Sequence, residues 1–143
     1  MRTALAVLVL GLALACGRKA APLAPQLVQP EPAESLAGVS TPEGVRLSWL
    51  RPLRYSGGGR MNDLEGFDIE RATDAESPVY FPVGEVTLTD QTRFKKERRI
   101  EWLDTTAVRG AKYRYRVTAK TLDGYRSPSA GPVVVQFGAP TSP

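Results

Sequence analysis

Between Lys112 and Thr121 the chain reads KYRYRVTAKT, and no other stretch constrains the fold as tightly. Tyr113, Tyr115, Val117 and Ala119 fall on one side of a two-residue repeat, and Arg114, Arg116, Thr118 and Lys120 on the other. A period of two is the strand period. Rings and aliphatics facing away from charge predict a strand with one face in a core and one in water.

Shorter runs repeat the pattern. Val45, Leu47 and Trp49 alternate with Arg46, Ser48 and Leu50 until Pro52, and Phe67 and Ile69 alternate with Asp68, Glu70 and Arg71. Val133 to Phe137 is a last β-branched run, entered through Pro128 and Pro132, which suit an edge strand where a missing N–H costs no ladder bond. Asp123-Gly124 is a turn signal. Twelve prolines and thirteen glycines in 143 residues fit many short connections. No run of helical length keeps a 3.6-residue apolar period; the nearest, Thr89 to Arg99, is mostly polar. The expected fold is an all-β sandwich in a single domain.

The chemistry available is narrow. There is no histidine, which removes the commonest general base and metal ligand, and Ser127 and Ser129 therefore lack an activating imidazole. A single cysteine allows neither an internal disulfide nor a cysteine-rich zinc site. Carboxylates two apart, Asp63 with Glu65 and Asp68 with Glu70, share strand faces, which reads as an exposed sheet surface. Neither an enzyme nor a cofactor or metal is expected.

The one cysteine, Cys16, follows a positive start (Met1-Arg2-Thr3) and an apolar stretch, Ala4 to Ala15. That is a signal-peptide layout, and twelve residues rising about 1.5 Å each fall short of the ~30 Å hydrocarbon core. Ala13-Leu14-Ala15-Cys16 resembles the bacterial lipobox, with Ala13 and Leu14 in swapped order relative to its commonest form. The resemblance implies cleavage before Cys16 and its acylation, which makes Cys16 the lipid attachment point and the membrane the first partner. The competing readings are an ordinary secretory signal cut near Ala15 and an apolar start that belongs to the core. Gly17 stands where aspartate resembles the inner-membrane retention signal, so an outer-membrane location is favoured, with the periplasmic or surface-facing side open.

Residues 16–34 carry Pro22, Pro25, Pro30 and Pro32 with almost no β-branched or aromatic residue, and are expected to stay extended and unpacked as a tether. From Arg18 to Glu34, at ~3.1 Å per residue, it would reach about 50 Å. Its start, CGRKAAPLAP (16–25), is similar to that of small outer-membrane lipoproteins typified by a family tied to maturation of the lipopolysaccharide transporter. That family has a single glycine where Ala20-Ala21 stand here.

The body of the chain resembles a fibronectin type III domain, the seven-stranded immunoglobulin-like sandwich. Three pieces carry the likeness: GVRLSW (44–49) as the second strand with its buried tryptophan, LEGFDIER (64–71) as the third, and WLDTTAVRGAKYRYRVTAKTLDGYRSPS (102–129) through the sixth. The resemblance implies that Tyr113 holds the tyrosine-corner position, its phenol bonded back to the preceding corner. Arg109 replaces the usual proline before Gly110, and the connection from Pro52 to Asp63 is long. The expected organisation is a leader at 1–15, a tether at 16–34, the sandwich at 35–138 and a disordered tail at 139–143.

Two loop sets are candidates for binding. Arg51, Arg54, Tyr55 and Arg60 flank Gly57-Gly58-Gly59, which lacks the Gly-Lys-Ser/Thr of a phosphate loop and reads as a flexible connection. Arg93, Lys95, Lys96, Arg98 and Arg99 form the densest charge run, a candidate contact for anionic surfaces such as lipid headgroups or lipopolysaccharide phosphates. The competing reading is a solvated connection whose field Asp90, Glu97 and Glu101 offset. An exported chain without repeated aromatic-basic platforms excludes nucleic acid as the expected partner, and no small-molecule substrate is evident. The functional expectation is a lipid-anchored, non-catalytic protein-binding or scaffolding module of the cell envelope. The alternative is an accessory factor in outer-membrane or lipopolysaccharide-transport assembly, acting through its lipidated N-terminal segment.

Overall fold

A computed structural model describes residues 20–139. Residues 1–19, which include the expected leader and Cys16, and residues 140–143 lie outside the described residues. Seven strands follow in order: β1 (Glu34–Ser40), β2 (Val45–Leu50), β3 (Leu64–Thr73), β4 (Phe81–Thr87), β5 (Arg99–Asp104), β6 (Lys112–Thr121) and β7 (Ala130–Gln136). They form two antiparallel sheets, ordered β1-β2-β5 and β4-β3-β6-β7.

The alternations account for the packing. Val45, Leu47 and Trp49 from β2 meet Phe67 and Ile69 from β3 and Tyr115 and Val117 from β6, all fully buried. The Trp49 and Phe67 rings contact edge to face, 5.3 Å between centroids at 69°. On the outer face of the larger sheet, the carboxylates of β3 meet the cations of β6: Glu70 with Arg116 at 2.7 Å and Asp68 with Lys120 at 3.0 Å. Asp68 also takes Arg126 at 2.5 Å. The carboxylate spacing is thus a cross-strand charge ladder. Thr118 departs from the alternation: it is buried, its hydroxyl 2.9 Å from that of Ser129 in the segment that folds over it.

Tyr113 is a tyrosine corner, its phenol oxygen accepting the Val108 N–H at 3.0 Å. Arg109, in place of proline, donates to the Pro42 carbonyl at 2.5 Å and lies over the Phe137 ring at 4.9 Å, while Gly110 takes the positive φ. β7, which contains Pro132, is an edge strand, where the missing N–H costs no ladder bond. Within Thr89–Arg99, one helical turn forms at Asp90–Arg93, closed by reciprocal Thr89 and Thr92 bonds.

The proline-rich stretch departs from the unpacked tether expected of it. Pro25–Val28 forms a helical turn, and Pro30 and Ala33 are buried. Their backbone lies on the 54–57 turn: Ser56 N–H donates to the Gln29 carbonyl at 2.9 Å, and Glu31 N–H to that of Arg54 at 3.0 Å. Composition marks a proline-rich segment as unable to build its own core, but prolines lose nothing by packing on a core that already exists.

A basic groove at the tether pole

Strand directions gather the chain entering β1, the 51–63 connection, the 88–98 connection and the 122–129 connection at one pole. Backbone bonds hold them together there, from Arg51 N–H to the Arg98 carbonyl at 2.9 Å and from Leu122 N–H to that of Asp63 at 2.9 Å. The two candidate loop sets, 40 residues apart in sequence, therefore meet.

The 51–63 connection is a pinned hairpin. Arg54 bridges to Arg60 through the backbone, and its guanidinium donates to the Gly58 carbonyl at 2.9 Å. The Tyr55 phenol donates to Asp63 at 2.5 Å, and burial together with that carboxylate pushes its pKa up to about 12. Gly58 alone takes φ +90° with open space around it.

Between this hairpin and the 93–98 run lies an open cavity of about 610 Å³, lined by Arg51, Arg60, Arg93, Lys95, Lys96 and Arg98 and by no carboxylate. Leu53, Met61 and Phe94 supply its apolar wall. Leu53 and Met61 are not among the candidates read from sequence; their one local signal is an apolar side chain within an arginine- and glycine-rich connection.

Each basic residue has a distinct setting. Arg51 is only 7% exposed, so it is a floor residue and not the surface contact its charge implied. Its Nη2 donates to the Lys95 carbonyl, and its Nε has no partner. Burial and the neighbouring Arg98 push its pKa below the usual arginine range. Arg98 donates from Nε and Nη2 to the Arg51 carbonyl, at 3.1 and 2.9 Å, and pairs with Glu34. Arg93 donates to the Leu64 carbonyl at 2.7 Å and to Asp90 at 2.5 Å. Lys95 and Lys96 are exposed. Arg54, Tyr55 and Arg99 stand outside the lining, Arg99 reaching Ser48 on the sheet face at 3.4 Å. Ser127 is bonded into the β6 edge, accepting from Ala119 N–H and donating to the Pro128 carbonyl. No group of metal-ligating side chains occurs among the described residues, and no described helix is long and apolar enough to cross a membrane.

No protein-family model matches the chain, and no curated protein matches it. Solved structures do. A human fourth fibronectin type III domain superposes with a TM-score of 0.56 at 16% identity, covering 90% of this chain and 96% of that one. The fold is that of a fibronectin type III domain. An Fn3-like protein from Clostridium thermocellum gives 0.51 at 19% identity over 79% of this chain and 98% of its own. The twitchin kinase region from C. elegans gives 0.55 at 21%; 77% of this chain is covered there but only 17% of the twitchin chain. At these identities the superpositions show a shared sandwich fold and nothing beyond it.

Proposed function

We propose that the chain is a bacterial envelope lipoprotein that displays its fibronectin type III domain, from an acylated Cys16, as a non-catalytic protein-binding or scaffolding module. The observations that support this reading are the two-sheet sandwich and, in the sequence before it, an apolar stretch from Ala4 to Ala15 that stands directly ahead of the chain's one cysteine. The absence of histidine supports a binding role over catalysis. Gly17 after the cysteine, where aspartate would resemble the inner-membrane retention signal, favours the outer membrane over the inner. The exposed arginines of the 51–60 hairpin, Arg54 and Arg60, are the place to look for a protein partner, since loops on a rigid scaffold concentrate contacts. A photo-crosslinking residue at Arg54 in intact envelopes should capture one discrete protein; capture of none, with the same probe active at a control site, contradicts the module reading.

The accessory-factor reading is favoured by CGRKAAPLAP alone. A chain lacking 35–138 but keeping 16–34 separates the two: assembly activity kept by that remnant places the function in the lipidated segment.

A further inference from the structure

Two cations of the groove have anionic partners, Arg93 with Asp90 and Arg98 with Glu34, while Arg51, Arg60, Lys95 and Lys96 form no ion pair among the described residues. Arg51 is the telling member. It is a buried guanidinium beside a second one, bonded to a single carbonyl, with Nε unsatisfied. A buried charge without a countercharge is costly, and an apolar side chain of similar volume would avoid that cost. An anion in the groove would supply what the fold leaves out.

The apolar wall narrows the anion's identity. Phe94 is 65% exposed at the rim, with Leu53 and Met61 beside the cations. Charge and exposed ring together suit a phosphate headgroup at the boundary of an acyl layer better than a free ion. The groove's position supplies the second argument, because the N-terminal chain lies on the hairpin that forms its wall and leaves from the same pole. The turn begins at Pro25, nine residue steps on from Cys16, a reach of about 28 Å in extended polyproline geometry.

We propose that this groove binds the phosphate groups of anionic lipids in the membrane that tethers the domain, with Lys95, Lys96 and Arg60 on phosphate, Arg51 beneath them and Phe94 in the interface. The inference rests on the membrane-anchored reading for the source of the phosphate. It turns a domain held away from the bilayer into one docked on it, pole first.

The test uses the full chain with Cys16→Ser, so that no acyl chain contributes, and an environment-sensitive dye on Gln91→Cys, an exposed position of the same connection that leaves the groove lining intact, so that the rim and not the N-terminal segment is read. Vesicles of phosphatidylcholine are compared with vesicles containing phosphatidylglycerol, alongside inorganic phosphate and polyglutamate. The expected result is a blue shift with the anionic vesicles only, weakened about five-fold for each of Lys95→Gln and Lys96→Gln and further by salt. Both lysines are exposed, so these variants fold, which circular dichroism checks. No shift, or equal shifts on both vesicles, overturns the proposal. A response to inorganic phosphate with inert vesicles assigns the groove to a free anion, and tighter binding of polyglutamate assigns it to an acidic protein; either also overturns it. Because Cys16 is absent throughout, these outcomes are independent of whether the native chain is acylated.

Discussion

The Tyr115 phenol donates a 2.8 Å hydrogen bond to the Asp104 carboxylate between the two sheets, where Asp104 is 1% exposed. Arg71 reaches the same oxygen at 2.6 Å, and Thr106 donates to the other through its N–H and hydroxyl at 2.9 and 2.7 Å. Removing the carboxylate leaves a buried phenol without its acceptor and a mostly buried guanidinium without its countercharge, held only by the Thr106 hydroxyl at 3.1 Å. Asp104→Ala should cost about 3 kcal/mol in chemical denaturation, and Tyr115→Phe about 1.5.

The same pair sets a pH dependence. Desolvation pushes the Asp104 pKa up, but the bonds from Thr106, Tyr115 and Arg71 outweigh it and hold it below the ordinary carboxylate value. A pKa lowered by folding stabilises fully above the unfolded value, about 4, and that stabilisation is lost as pH falls through the folded one. Unfolding midpoints at pH 6 and pH 3 should therefore differ more in the wild type than in Asp104→Asn.

Tyr113→Phe should cost only about 1 kcal/mol, because Val108, whose N–H it satisfies, is 64% exposed and water replaces the bond. Tyr113→Ala, which also empties a buried ring position, should cost about 3 kcal/mol or more by the same denaturation.

Gly66 and Gly58 should respond to alanine for different reasons. A Cβ at Gly66 would meet the Val86 carbonyl at 2.0 Å, a backbone atom of the paired strand that cannot move aside. At Gly58 nothing is near and only the φ of +90° opposes it. Gly66→Ala should lose about 3 kcal/mol in thermal or urea unfolding and Gly58→Ala about 1.

How much of this was legible from residues alone follows from burial. Strands β2, β3 and β6 each carry inward residues at alternate positions, so their periods were visible. β1 and β4 are edge strands in which only Leu36 and Gly38, or Val83, Gly84 and Val86, turn even partly inward, too few to register. Gly84 is there because the Trp102 ring lies on it, a contact between sheets that no local pattern encodes. The candidate site was half legible. Its charges stood out as two runs, but strand direction brings them together, and a charge is read as exposed until a fold is seen to close over it, as over Arg51.

Arg51→Met tests that closure. Replacing a buried, uncompensated guanidinium by an apolar side chain should leave stability in low-salt buffer unchanged or raise it by up to about 2 kcal/mol. A loss of similar size in urea denaturation would mean that the bond to the Lys95 carbonyl outweighs the buried charge.

The anchored account stands or falls on the mature N-terminus. Mass spectrometry of the N-terminal peptide, from the chain purified out of bacterial membranes, should find Cys16 as the first residue and carrying acyl chains. A peptide that begins elsewhere, with Cys16 as an unmodified thiol, would contradict it.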